Sequence, residues 1–108
     1  MNEKVNIIAI IPARGGSKRL PRKNLKPVLG KPMINWAIDA CKESKYVNRI
    51  FVSSEDDEIL SLAKKSDVEI IERPAELSKD DVWTQDVLKH AVSEIVKVLF
   101  SEGQGNLA

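Results

Sequence analysis

The stretch IIAIIPARGGSKRLPRKNLKP, residues 7–27, begins as an apolar run and changes abruptly into a segment rich in Gly, Pro, Arg and Lys. The near-continuous apolar run over residues 5–11 is typical of a strand buried on both faces of a parallel sheet. Pro12 ends this pattern, and residues 13–31 are predicted to form a long loop. So much positive charge directly after a buried strand indicates an anion site at the end of that strand.

Helix and strand patterns alternate after this loop. In order, they predict a helix from Pro32 to about Ser44, a strand over residues 49–53, a helix capped by Ser54, a strand over residues 68–71, a loop over residues 72–81 and a helix that Thr84 could cap. Alternation of this kind is typical of parallel strands joined by right-handed helical crossovers. We therefore predict an α/β fold with its ligand at the first strand–helix loop.

The charges are distributed unevenly along the chain, although the net charge is only +1. Residues 4–38 contain eight Lys or Arg and no Asp or Glu, whereas residues 39–108 contain nine basic and fifteen acidic residues. This division favours an anionic ligand for the first third of the chain. The alternative is chance clustering of basic residues on a solvated face.

Length and composition limit the class of protein. The chain has 108 residues, 43% hydrophobic and 31% charged, as expected for one folded domain. No apolar run is long enough to cross a membrane. The single cysteine, Cys41, excludes an internal disulfide framework, and the N-terminal residues lack the pattern of a signal peptide. These features together predict a cytoplasmic protein.

The loop has the chemistry that a phosphate chain requires. Gly15 and Gly16 allow the backbone to approach a ligand closely and to present N–H groups, and Ser17 and Asn24 can add neutral donors. The basic side chains of the loop are Arg14, Lys18, Arg19, Arg22, Lys23 and Lys26. The sequence matches neither GxxxxGK[ST] nor GxGxxG. Nucleic acid is the competing ligand, but residues 13–31 contain no aromatic residue on which a base could stack.

The segment IIPARGGSKRLPRKNLKPVLGKPMI, residues 10–34, resembles the signature of the CMP-sialic acid synthetase family, cytidylyltransferases that activate acidic sugars. It is most similar to bacterial members acting on pseudaminic acid or a related nonulosonate. Further matches follow in order: RIFVSSED (residues 49–56), RPAEL (residues 73–77), Asp80 and His90-Ala91. The resemblance covers roughly residues 6–95.

This resemblance implies a Rossmann-like three-layer sandwich of the nucleotide-diphospho-sugar transferase type, with a mostly parallel sheet. It implies transfer of CMP from CTP to an acidic nine-carbon sugar, with release of pyrophosphate and help from Mg²⁺. Lys23 and Arg14 would act catalytically by stabilising charge on the phosphates, Arg73 would reach the cytosine or ribose, and Thr84 would line the nucleoside pocket. The nucleotide-binding residues that the resemblance implies are Ala13, Arg14, Gly15, Gly16, Ser17, Lys18, Lys23, Asn24, Arg73 and Thr84.

Several of these residues have a structural alternative. Lys23 could be a solvated loop lysine, Arg73 could anchor its loop to Glu72 or Glu76, and Thr84 could serve as a helix cap with or without a binding role. Asp80 and Asp81 could ligate a metal, but paired acidic residues in a loop are usually solvated. No residue of this chain is therefore assigned to a metal.

The chain departs from the family pattern after residue 100. A Gln-Pro-Thr-Ser-Pro-like motif and the later acidic residues that hold Mg²⁺ in the family are missing. We therefore expect a truncated fold, with residues 1–100 as the CTP-binding part and residues 101–108 as a polar tail. The alternative is a nucleotide-binding module, or an inactive remnant, without turnover. The expected partners are a nucleotide and an acidic sugar, without nucleic acid or membrane, and exposed apolar surface is expected to favour self-association.

Overall fold

Parallel strands and three helices make up most of the computed structural model, which describes residues 7–16, 22–79 and 82–103. Short 3₁₀ helices cover Lys23–Leu25 and Ala75–Ser78. The other elements are β1 (Ile7–Pro12), β2 (Pro27–Val28), β3 (Lys31–Pro32), α1 (Met33–Glu43), β4 (Val47–Ser54), α2 (Asp57–Lys65), β5 (Glu69–Glu72) and α3 (Thr84–Ser101).

The main sheet has the order β1-β4-β5, and both pairings are parallel. Ile10 lies opposite Phe51 and Val52 opposite Ile70 in this register. Because all three strands run the same way, their carboxyl ends meet at one edge of the sheet, where ligands of such sheets bind. The predicted α/β fold with a parallel sheet is confirmed.

The core lies on both faces of the sheet, because neighbouring residues of β4 point to opposite sides. Val52 packs into one cluster with Ala13 and with apolar residues of α1 and α2, such as Ile38 and Ile59. Phe51 packs into a second cluster with residues of β5 and α3. The described chain therefore forms three layers: α1 with α2, the sheet, and α3.

β1 is less buried than its apolar sequence predicts. Ile7 is exposed and Ile8 to Ile11 are only partly buried. The strand still contacts the core on both faces, because Ile11 packs against the first cluster and Ile8 and Ile10 against the second. The reason for the partial burial is its position: β4 pairs with one edge of β1, and no strand among residues 7–16, 22–79 and 82–103 pairs with the other. Residues 5 and 6 of the predicted strand lie outside the described residues.

The predicted loop over residues 13–31 contains regular structure. Besides the 3₁₀ helix, β2 and β3 form a small antiparallel hairpin that pairs Pro27 with Pro32 and Val28 with Lys31. Its two turn residues, Leu29 and Gly30, have φ values of 49° and 90°. Positive φ at both central positions is the geometry of a type I′ turn, which closes a two-residue hairpin. The prediction of loop structure throughout was wrong here, because the segment is too short to show strand periodicity.

Two predicted helix caps are also corrected. Asp56, rather than Ser54, caps α2, and its side chain accepts hydrogen bonds from the backbone N–H groups of Glu58 and Ile59. Thr84 is the first residue of α3, and Trp83, which occupies the N-cap position, makes no capping hydrogen bond with its side chain. α3 continues to Ser101, so the predicted tail begins on the last helical residue. No helix within the described ranges combines the length and the apolar character needed to cross a bilayer.

Candidate functional site

A cleft of about 460 Å³ lies at the carboxyl ends of β1 and β5. Its polar wall comes from the segment after β1, the segment after β5 and the start of α3, and it contains Arg14, Lys23, Asn24, Arg73, Lys79 and Thr84. Four of these side chains are cationic, and no Asp or Glu of the described residues is among those lining the cleft. A concave site with this charge is suited to a polyanion.

Arg14 enters the cleft because the pairing of β1 continues one residue beyond the strand. The backbone N–H of Ala13 donates to the carbonyl of Ser53 at 2.9 Å, and the Ala13 side chain is buried in the core. Arg14 then lies at the strand end, half-buried, where its Nη1 donates to the carbonyl of Ser78 at 3.5 Å. The cleft wall is therefore connected across its width, from the segment after β1 to the segment after β5.

Lys23 and Asn24 reach the same cleft from the 3₁₀ helix. Backbone hydrogen bonds from Leu25 to Arg22 and from Lys26 to Lys23 shape this turn. The Asn24 amide nitrogen donates to the carbonyl of Arg14 at 3.0 Å, which fixes the turn beside the strand end. Lys23 is exposed and lines the cleft. The Lys23 ammonium group can therefore contact a ligand without first breaking an interaction with a buried partner.

Arg73 is the most deeply placed cation of the cleft, with 6% of its surface exposed. Its guanidinium donates to the carbonyl and hydroxyl of Ser53, at 2.9 and 3.2 Å, and to the Ser78 hydroxyl at 3.3 Å. The side-chain partners of Arg73 are serines. The alternative in which Arg73 anchors its loop to Glu72 or Glu76 is therefore wrong. Burial lowers the pKa of Arg73 and Arg14 lowers it further, while Glu55 opposes the change. A buried cation held by neutral groups is favourably placed to attract an anionic or polar ligand.

The two glycines of the loop, Gly15 and Gly16, have different surroundings. The N–H of Gly15 donates to Oε2 of Glu55 at 2.9 Å, and a Cβ on Gly15 would lie 2.4 Å from Oδ2 of Asp56. Gly15 thus packs against the segment between β4 and α2, and its N–H is not directed into the cleft. Gly16 is exposed, and a Cβ at this position would have no atom of the described residues within 4 Å beyond its chain neighbours. The phosphate-binding roles of both glycines stay predictions.

Some predicted residues lie outside the described part of the chain. Ser17 and Lys18 belong to residues 17–21, and Asp80 and Asp81 to residues 80–81, none of which is described. Among residues 7–16, 22–79 and 82–103, no group of three or more His, Cys, Asp or Glu could hold a metal ion.

Sequence reasoning missed Lys79, which adds a fourth cation to the cleft. The lysine was visible in the loop after β5, but nothing in the local pattern separates it from a solvated residue. It also missed Glu55 and Asp56, whose contacts with the basic loop depend on the pairing of β1 with β4.

The fold and the cleft define a class of protein: a parallel α/β domain with a cationic ligand site at the carboxyl ends of its strands. The family model described as "Cytidylyltransferase" matches residues 8–104. The chain belongs to the cytidylyltransferase family, which confirms the family that its sequence resembles.

Curated relatives carry related names. The pseudaminic acid cytidylyltransferase of Campylobacter jejuni is 38% identical over 98 residues, covering 90% of this chain and 40% of the relative. The N-acylneuraminate cytidylyltransferase of Oncorhynchus mykiss is 39% identical over 87 residues, covering 81% of this chain and 20% of the relative. The chain therefore spans between a fifth and two fifths of the length of these proteins.

A solved structure has the same fold over most of the chain. It is that of CMP:2-keto-3-deoxy-manno-octonic acid synthetase complexed with CTP, with a TM-score of 0.68 and 26% identity. The match covers 90% of this chain and 36% of that one.

Proposed function

We propose that the chain supplies the CTP-binding part of a cytidylyltransferase that transfers CMP to an acidic nine-carbon sugar. The sugar would be a sialic, pseudaminic or related nonulosonic acid, and the products would be a CMP-sugar and pyrophosphate. The observation that carries the proposal is the cleft itself, whose wall brings four cations together at the carboxyl ends of the strands. The names of the relatives support the class of sugar.

In this reaction a sugar hydroxyl attacks the α-phosphorus of CTP, and pyrophosphate leaves with the electrons of the broken P–O bond. The protein's contribution is to hold the phosphates in line and to stabilise the charge that develops on their oxygens. Lys23 and Arg14 are the residues to which we assign this charge stabilisation, with Asn24 as a neutral group beside them. Arg73 and Thr84, which line the same cleft, would hold the nucleoside end.

Mg²⁺ would add a further positive charge at the phosphates. The described residues offer no cluster of carboxylates to hold it, so we assign the phosphate charge to the cations of the cleft alone. The second candidate function is a nucleotide-binding module without turnover, and this same observation favours it. Under either function, the absence of a nucleic-acid partner and a cytoplasmic location stay predictions.

Lys23 is the sharpest test of the proposal. Lys23→Ala should weaken CTP binding by more than tenfold, roughly 1.4 kcal/mol or more, because it removes a cation from the cleft. Calorimetric titration of the 108-residue chain with CTP measures this. Lys65→Ala is the control, because Lys65 is exposed at the far end of α2 and its loss changes the net charge equally.

Two results would contradict the proposal. Equal CTP affinity of the wild type and Lys23→Ala would remove the role of Lys23. Inorganic tripolyphosphate binding as tightly as CTP would show that the nucleoside contributes nothing, which would exclude the roles given to Arg73 and Thr84.

A further inference from the structure

In the basic loop after β1, Gly15 and Arg22 contact each other, and we call this contact the neck of the loop. The backbone N–H of Arg22 donates to the carbonyl of Gly15 at 3.1 Å, so the chain leaves and returns at nearly the same point. Lys23, which lines the cleft, follows Arg22 directly. The position of this neck therefore determines where Lys23 and Asn24 lie.

Two acidic residues from the segment between β4 and α2 hold the neck, one on each side. Glu55 accepts the Gly15 N–H through Oε2 at 2.9 Å. Asp56 accepts from both Nη atoms of Arg22, at 2.6 and 3.1 Å. Glu58 adds a third carboxylate at 2.7 Å from Nη2 of Arg22.

Arg22 has a φ of 57°, in the left-handed region that side chains other than Gly seldom adopt. Such a conformation persists where the surroundings determine it. Here the surroundings are the hydrogen bond to Gly15 and the bidentate contact with Asp56.

The hydrogen bonds of these two acidic residues go to the neck and not into the cleft. Carboxylates near an anion site repel the ligand, and those of Glu55 and Asp56 point to the neck and do not line the cleft. Asp56 is further fixed by its own helix, because its Oδ1 caps α2 at the N–H groups of Glu58 and Ile59. The neck is thus attached to the rigid start of a helix on the neighbouring strand.

We propose that Glu55 and Asp56 are positioning residues that attach the neck of the basic loop to β4 and α2, and so hold Lys23 and Asn24 at the nucleotide cleft. The proposal rests on the proposed function for its ligand, but not for the contacts themselves. Neither residue lines the cleft.

Asp56→Asn is the variant that separates the neck from the helix cap. The asparagine carbonyl can still accept from Glu58, Ile59 and Nη2 of Arg22, while its NH₂ group replaces Oδ2, the oxygen that accepts from Nη1 of Arg22, and the negative charge is lost. Asp67→Asn is the matched control. It makes the same chemical change at an exposed turn before β5, at the opposite edge of the sheet, where the φ of 66° suits asparagine equally well.

Two measurements are made on each chain: amide hydrogen exchange by NMR, and CTP affinity by calorimetry. In Asp56→Asn, the Arg22 amide should exchange faster while the amide of Val52 in β4 stays protected. CTP binding should weaken by up to about fivefold, the upper end of the range for an exposed ion pair. Asp67→Asn should match the wild type in both measurements.

Two variants of Glu55, studied with the same two measurements, test the proposal independently of Asp56. Glu55→Gln keeps an oxygen that can accept the Gly15 N–H and should keep both the protection of that amide and the CTP affinity. Glu55→Ala removes the acceptor and should lose both.

The proposal is overturned if Arg22 exchange is unchanged in Asp56→Asn, or if it rises without any loss of CTP affinity. It is equally overturned if Glu55→Gln behaves like Glu55→Ala. A wild-type chain that binds no CTP would contradict the proposed function instead, and the exchange rates alone would then show whether the two acidic residues hold the neck.

Discussion

Gly15 lies where the segments that follow two neighbouring strands, β1 and β4, approach each other closely. A Cβ at this position would lie 2.4 Å from Oδ2 and 2.5 Å from Cβ of Asp56, distances that atoms in contact do not adopt. Asp56 cannot simply move away, because its side chain caps α2 and binds Arg22. The glycine therefore allows the basic loop to pack against the start of the helix.

Gly15→Ala should lower the free energy of unfolding by about 1–3 kcal/mol, the usual cost of forcing extra atoms into a packed site. Urea denaturation followed by circular dichroism measures this. Gly16→Ala is the matched control, since no atom of residues 7–16, 22–79 and 82–103 other than its chain neighbours lies within 4 Å of its Cβ position, and it should leave stability unchanged within roughly 0.5 kcal/mol. If the two variants were equally stable, the close approach at Gly15 would carry no energetic cost.

The start of α2 carries a carboxyl group, Asp56, whose pKa differs between the folded and unfolded chain. The Arg22 hydrogen bond is the main cause that lowers the pKa of Asp56, and the backbone N–H groups of Ile59 and Glu58 lower it further against the effect of burial. A carboxyl whose pKa is lower in the folded state stabilises the fold above its unfolded pKa, which is about 4 for Asp. This stabilisation is lost as the pH falls below that value, through the folded pKa.

We therefore expect the unfolding free energy of the wild type to fall more steeply below about pH 4 than that of Asp56→Asn, which has no carboxyl to protonate there. Urea denaturation at a series of pH values measures both slopes. Asp67→Asn should keep the wild-type slope. Parallel curves for the wild type and Asp56→Asn would mean that Asp56 titrates alike in the folded and unfolded chain.

At the scale of the whole molecule, the described residues provide cations for the phosphates but no cluster that could hold a metal. Nucleotidyl transfer needs both charge stabilisation and a positioned acceptor. We expect the 108-residue chain by itself to bind CTP and to release no measurable pyrophosphate with CTP, Mg²⁺ and a nonulosonic acid. Robust release that Lys23→Ala abolishes would show that this chain alone contains a complete active site.

The outer face of α3 exposes an apolar residue at every fourth position: Leu88, Val92, Val96 and Phe100. Spacing by four places these side chains along one side of the helix. An exposed apolar stripe of this kind favours association, and we expect the sedimentation coefficient of the chain to rise with concentration.

Val92→Lys combined with Val96→Lys should abolish that rise, because it places two charges within the stripe. Tyr46→Lys, which changes an exposed aromatic residue between α1 and β4, is the control and should leave the rise unchanged. A wild-type chain that sediments as a monomer at every concentration would contradict the prediction.

The sequence by itself determined the alternation of strands and helices, the parallel sheet and the basic loop after β1. It could do so because apolar periodicity reports whether each short segment faces the core, and because charge is read directly from the residues. Arg14, Lys23, Asn24, Arg73 and Thr84, chosen from the sequence, line one cleft. Their selection depended on a family motif and not on any knowledge of which segments meet.

The tertiary structure alone decided which groups contact each other across the sheet. Arg22 pairs with Asp56 over 34 residues, Arg14 contacts Ser78 over 64 residues, and Arg73 binds Ser53 rather than its neighbours Glu72 and Glu76. No local pattern contains these contacts, because they arise from the order β1-β4-β5, which brings three strand ends to one edge. Local sequence specifies the elements, while the long-range pairing of strands specifies the site.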